Sequence, residues 1–148
     1  MAKIRVTKEF RWEMAHALWN YDGLCKNIHG HSYILYVTVI GEPLMDKSDV
    51  KDGMVIDFGD LSRIVKKEIV NKMDHSVVLN KDVPDKSFLD VEQMYDRLFL
   101  TDYQPTCENM VIDFAERIKP HLPSGVELFS VKLYETAKSF AEWNMNDN

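Results

Sequence analysis

From Ile4 to His16 the even positions read Ile4, Val6, Lys8, Phe10, Trp12, Met14 and His16, apolar with one break before the histidine. A period of two over this length predicts a long strand with one buried face, and it sets His16 on that face. A loop from Asn20 to Ile28, with Asp22-Gly23 as its turn signal, leads into a run from His31 to Ile40 rich in β-branched and aromatic residues. This second strand is apolar on both faces, so it needs a cover on each side, from helices or from another subunit.

After a polar stretch, Leu61, Ile64, Val65, Ile69 and Met73 recur at helical spacing, with Asp57 placed to cap the helix. A second helix starts after Pro105 with Thr106 as its cap, carries Met110, Val111, Phe114, Ala115 and Ile118 on one face, and ends at Pro120. Ser124-Gly125 turns the chain into a strand over 126–136. There Phe129, Val131, Leu133 and Glu135 share a phase, which sets a carboxylate among apolar neighbours. A further strand is expected around Ser139 to Trp143. The segment 81–104 reads as loop around a short helix spaced on Val91, Met94, Tyr95 and Leu98. It holds six acidic against three basic residues. The pattern is α+β, with antiparallel pairing favoured by short links.

At 148 residues the chain fits one domain. No apolar run reaches the roughly 18 to 20 residues of a membrane helix, and Met1-Ala2-Lys3-Ile4-Arg5 lacks the apolar stretch of a secretory signal, so a cytoplasmic protein is expected. A net charge of -6 speaks against a nucleic-acid partner held by a general basic surface. With Cys25 and Cys107 alone, at most one disulfide could form, and such a chain does not need it.

Three of the five histidines stand where chemistry can be built. His29-Gly30-His31 aims two imidazoles to one side of an extended backbone, and His16 is the natural third. Three neutral nitrogens leave one position of a zinc ion open, as in catalytic rather than structural sites. Cys25, four residues before His29, is either a fourth ligand closing a structural zinc or a thiolate base beside the metal. Asp74 beside His75 forms a weaker pair, suited to orient or polarise an imidazole for proton transfer. Glu135, if buried, must be paired. An Arg or Lys would serve, as would the amidine-like edge of a pterin or guanine, whose two parallel N–H groups match a carboxylate fork. Glu108 sits in the first turn of the second helix, and Cys107 reads as a packing residue.

Together these blocks resemble the 6-pyruvoyl-tetrahydropterin synthase and 6-carboxytetrahydropterin synthase family. The resemblance runs through Phe10-Arg-Trp-Glu-Met-Ala-His16, Cys25-x3-His29-Gly-His31, Val55-Ile-Asp-Phe58, Met73-Asp-His75 with Leu79-Asn80, Pro105-Thr-x-Glu-Asn109 and Tyr134-Glu-Thr136, in the family's order. It implies a tunnelling fold, a four-stranded antiparallel sheet with two helices on one face, assembled into a barrel as a trimer or homohexamer. It implies zinc on His16, His29 and His31, and Cys25 as the proton-abstracting base. Asp74 and His75 become a relay contributed by a neighbouring subunit. Glu135 becomes the pterin anchor, with Thr106 and Glu108 lining its pocket. The implied reaction is conversion of dihydroneopterin triphosphate to 6-carboxytetrahydropterin in the queuosine pathway. Alternatives are the pyruvoyl product, a diverged pterin-binding zinc protein without turnover, and a structural zinc module. Against relatives, Ala17 stands where many carry Arg, 81–104 looks like an insertion, and the tail from Ala137 to Trp143 departs from the usual ending.

Overall fold

The computed structural model describes residues 2–148; Met1, which opens the N-terminal stretch, and the side chain of Val91 lie outside the described residues. The elements are β1 (Ile4–His16), β2 (His29–Gly41), α1 (Phe58–Val65), α2 (Asn71–Met73), β3 (Val77–Asn80), α3 (Leu89–Met94), β4 (Leu98–Thr101), α4 (Cys107–Ile118), β5 (Val126–Thr136) and β6 (Ser139–Asn144). Strands β1 and β2 pair antiparallel with His16 opposite His29, Met14 opposite His31 and Trp12 opposite Tyr33. Alternation then puts Phe10, Trp12, Met14 and His16 of one strand and Tyr33, Leu35, Val37 and Val39 of the other on one buried face. Leu61, Val65, Met110 and Phe114 of the helices cover that face.

The sheet differs from the expected four antiparallel strands. Among the described residues it has six, in the order β4-β3-β1-β2-β5-β6, and it is mixed, because β3 runs parallel to both β1 and β4. The two extra strands are four residues each, too short to display an alternation. Parallel neighbours need a long crossover, and 81–97 with α3 supplies it between β3 and β4. Leu98, grouped by spacing with the helix, belongs instead to β4, opposite Val77.

Asp57 caps α1 by accepting from the Gly59 N–H, and Thr106 caps α4 by accepting from the Asn109 N–H. Leu61, Val65, Ile69 and Met73 are all fully buried although they stand four apart. Strict fours would drift about 40° per step around an α-helix. A π-helical turn at Lys66–Val70 between α1 and α2 absorbs part of that drift and keeps the stripe on the core.

In β5 a bulge corrects the expected phase. Thr38 pairs with Ser130 but Val39 with Leu128, so Phe129 is the extra residue. It leaves the core face and its ring lies under the Arg5 guanidinium, 3.6 Å from centroid to carbon. A second irregularity skips Glu135, between the pairs Tyr134–Phe140 and Thr136–Ser139. The opposite face of the sheet carries Ile34, Tyr36 and Ile40, each half-buried, and an aromatic row in which Tyr134 stands 5.9 Å from Tyr36 and 4.7 Å from Phe140. No helix of the described residues is long and apolar enough to cross a membrane.

Core packing should outweigh capping by a clear margin. At fixed protein concentration, Phe114→Ala, which empties a fully buried site against Trp12, is expected to cost about 3–5 kcal/mol in urea unfolding. Asp57→Ala should cost about 1 kcal/mol by the same measurement.

Candidate metal centre and active site

The β1–β2 register delivers three imidazoles to one end of the buried face. One nitrogen from each of His16, His29 and His31 lies within 4.8 Å of the others, and this is the group that could hold a metal ion among the described residues. His16 Nδ1 donates to the Pro105 carbonyl at 2.8 Å, and His29 Nδ1 donates to the Asn27 carbonyl at 2.8 Å. Both rings therefore carry their proton on Nδ1 and turn bare Nε2 lone pairs toward each other, 3.0 Å apart. Two lone pairs at that distance repel unless a cation lies between them.

Burial disfavours a proton as that cation. It holds His16 below the ordinary histidine range, against the opposing pull of the Pro105 hydrogen bond and Glu135, and it lowers His31 likewise. The approach of Glu135 Oε1 to His16 Nε2 at 3.4 Å is thus a contact with a neutral ring rather than an ion pair. His31 Nε2 is buried with no hydrogen-bond partner. Tetrahedral zinc with bonds of 2.0–2.1 Å would separate its nitrogens by about 3.3 Å, close to the spacing of His16 and His29. The donor set fits a metal ion, two of whose three ligands are already oriented by backbone carbonyls.

Cys25 stands outside that group. It is exposed, in a turn at Leu24–Lys26, and lines a cavity of about 320 Å³ together with Thr106, Cys107, Glu108, Glu135 and Phe140. The structure so brings together four of the residues singled out from the sequence. Glu135 owes its place to the β5 irregularity, which frees it from the ladder to reach both the cavity and the imidazoles at 3.4 and 3.8 Å. No Arg or Lys is among its close partners at this end of the sheet in the described residues.

Asp74 and His75 are not in that cavity. His75 lines a separate hollow of about 390 Å³ with Glu13, Ala15, Gly30, Ser32 and His31. Glu13, Ala15, Gly30 and Ser32 alternate with the buried phase, so this hollow opens on the sheet face turned away from the helices. Although they are neighbours in sequence, the two side chains do bond: His75 Nδ1 donates to Asp74 Oδ1 at 2.8 Å. The φ of 58° at His75 folds the backbone back and makes this contact between adjacent residues.

Sequence reasoning passed over Tyr33. It is fully buried beneath the cluster, its ring edge-on to His31 at 5.6 Å and stacked on Trp12 at 5.8 Å. Burial, and then the Glu135 charge, push its phenol well above the ordinary range, which keeps it a neutral donor. The signal was present, since Tyr33 continues the i, i+2 phase of His29 and His31. Cys107 is the packing residue expected: its Sγ donates to the Leu133 carbonyl, and burial pushes it up to about 11.

A profile of the family described as 6-pyruvoyl tetrahydropterin synthase matches residues 5–146. A 6-carboxy-5,6,7,8-tetrahydropterin synthase of Haemophilus influenzae is 35% identical over 141 residues, which span 94% of this chain and 97% of that protein. Among solved structures, a 6-pyruvoyl tetrahydropterin synthase of Caenorhabditis elegans is 26% identical with a TM-score of 0.67, covering 97% of this chain and 96% of that one. An uncharacterized protein of Wolinella succinogenes, 20% identical, shares the fold with a TM-score of 0.79 over 98% and 99% of the two chains.

The two thiols should separate cleanly. Burial pushes the Cys107 thiol up to about 11 and shields it, so it holds little reactive thiolate at pH 8. Iodoacetamide at pH 8 should therefore alkylate the native protein at Cys25 alone, read by peptide mass, with Cys107 reacting only after unfolding.

Proposed function

This chain belongs to the 6-pyruvoyl tetrahydropterin synthase family of lyase-type enzymes, and from that premise we propose that it converts 7,8-dihydroneopterin triphosphate and one water to 6-carboxy-5,6,7,8-tetrahydropterin, with loss of triphosphate and acetaldehyde. The observation that carries the reading is the convergence of three imidazole nitrogens next to a cavity walled by Cys25 and Glu135. The carboxy product is preferred over the pyruvoyl one because relatives named for the former align over nearly their full length. In this reading the chain is one tunnelling-fold domain with 81–104 inserted. It works in the cytoplasm, in the queuosine pathway.

His16, His29 and His31 would hold zinc, which when bound supplies Lewis-acid polarisation of substrate oxygens. Everything else is the work of this chain's own groups. Glu135 accepts the paired N–H donors of the pterin edge and fixes the ring, with Thr106 and Glu108 on the cavity wall beside it. Cys25, exposed in that cavity, takes a proton from the substrate side chain. His75, held through its Nδ1–H by Asp74, presents Nε2 to take up and release a proton.

Because His75 opens on the far side of the sheet, it serves a neighbouring subunit's cavity. The aromatic row of Tyr36, Tyr134 and Phe140 on that same face supports an assembly that covers it, a trimer or hexamer. Phe140 is 50% exposed in the single chain.

Zinc-loaded protein incubated with dihydroneopterin triphosphate should yield a carboxy-pterin and acetaldehyde by mass; a pyruvoyl-pterin would move the assignment to the sister activity, and unchanged substrate would refute both. Cys25→Ala should retain zinc and folding while kcat falls by about 10²–10⁴-fold. Loss of zinc in that variant would instead make Cys25 a ligand. Glu135→Ala should raise KM by about tenfold or more, since a half-buried carboxylate acceptor is lost.

A further inference from the structure

The segment from Arg97 to Pro105 reaches the active-site elements at three places, through the backbone of its target at the Asp74–His75 corner and at Trp19 and through the imidazole at His16. Arg97 lies where the helical run of α1, the π turn and α2 ends, with terminal carbonyls left without helical partners. Its guanidinium donates Nε to the Asp74 carbonyl at 2.8 Å and one terminal nitrogen to the Asn71 carbonyl at 2.8 Å and the Lys72 carbonyl at 3.3 Å. A planar cationic fork at a helix C-terminus is also favourable to the helix dipole. The next residue, His75, has a φ of 58°, a conformation that a non-glycine residue keeps only when its surroundings over-determine it. Those surroundings are Arg97, the Glu13 carbonyl, which accepts from His75 N–H at 2.7 Å, and Asp74 Oδ1, which accepts from Glu13 N–H at 3.2 Å. The Arg97 carbonyl further accepts from Val77 N–H at 2.9 Å, tying the start of β4 to the start of β3.

At its other end the segment grips the loop that carries Cys25. Gln104 Oε1 accepts from Trp19 N–H at 3.1 Å, and Gln104 Nε2 donates to the Trp19 carbonyl at 2.7 Å. The adjoining Leu18 N–H donates to the Cys25 carbonyl at 2.9 Å, so the clamp on Trp19 is one residue from the bond that fixes Cys25. The Gln104 carbonyl accepts from Asn109 Nδ2 at 2.9 Å, which roots the clamp in α4, and the next carbonyl, Pro105, sets the His16 tautomer.

We propose that Arg97–Pro105 is a strap that positions both proton carriers, with Arg97 holding the Asp74–His75 corner and Gln104 holding the Cys25 loop. Neither residue touches substrate; each acts through the backbone it binds. The inference rests on the assignment of His75 and Cys25 as proton carriers under the proposed function. The last third of the 81–104 segment thereby belongs to the catalytic frame, whereas α3 and the acidic stretch around it are a spacer.

The test uses full-length zinc-loaded protein as wild type, Arg97→Gln, Arg97→Lys and Gln104→Ala. The proton position on the His75 ring is read by long-range ¹H–¹⁵N correlation, and Cys25 by its rate of alkylation. Wild type should show one His75 tautomer, with the proton on Nδ1. In R97Q that tautomer should become mixed and kcat should fall by about tenfold or more with KM within about threefold, zinc content and Cys25 alkylation staying unchanged. R97K, which keeps the charge without the fork, should recover only part of the kcat. In Q104A the alkylation rate should shift severalfold while His75 stays in its single tautomer.

A wild-type tautomer and kcat in R97Q, or full recovery in R97K, overturns the Arg97 assignment; an unchanged alkylation rate in Q104A overturns that of Gln104. If R97Q fails to fold, R97K decides, since a wild-type tautomer and kcat there contradict the fork. If wild type does not turn over the substrate, the functional assignment fails. The tautomer and the alkylation rate still decide the strap.

Discussion

The antiparallel register of β1 on β2 fixes the core and the site at once. With His16 opposite His29 and Met14 opposite His31, one alternating phase holds Phe10, Trp12, Tyr33, Leu35, Val37 and the three imidazoles. A slip of one residue would turn one strand's share of that set to the other face. The apolar residues of the two strands therefore do more than bury surface. They make the register costly to change, and the register is what brings three ring nitrogens within 4.8 Å.

Every other element can be understood as serving that end of the hairpin. The backbone at Asn27 and Pro105 takes the Nδ1 protons and leaves Nε2 lone pairs pointing inward. The irregularity in β5 turns Glu135 from a ladder residue into a wall of the cavity. The π turn keeps the helical stripe on the core and brings the chain to Asp74 and His75 on the opposite side of the sheet. One chain thus presents a cavity lined by Cys25 and Glu135 beside the imidazoles and a separate hollow lined by His75.

Much of this was legible in the sequence because alternation and helical spacing are direct images of burial. The long strands, the caps at Asp57 and Thr106, the buried faces of the helices, and the three histidines on one face all followed from period and residue type. What the sequence concealed has a common cause. Strands β3 and β4 are four residues long, which is only two full alternations, and their parallel pairing depends on a crossover whose path no local pattern encodes. The bulges that send Phe129 outward and free Glu135 are register events between strands, so a reading of one strand's phase carried through them misplaced Phe129. Tyr33 was legible as strand but not as part of the site, because an aromatic residue in an apolar run is usually packing. The contacts of Arg97 and Gln104 go to backbone atoms, which leave no trace in residue spacing.

In the proposed function three histidines alone supply the protein ligands of a metal ion, with Cys25 held apart as a base. X-ray absorption at the zinc edge of the loaded, substrate-free protein tests it most directly. The account predicts a first shell of nitrogen or oxygen at about 2.0–2.1 Å with imidazole scattering from three rings and no sulfur. A sulfur at about 2.3 Å would place Cys25 on the metal, close the site, and contradict the account.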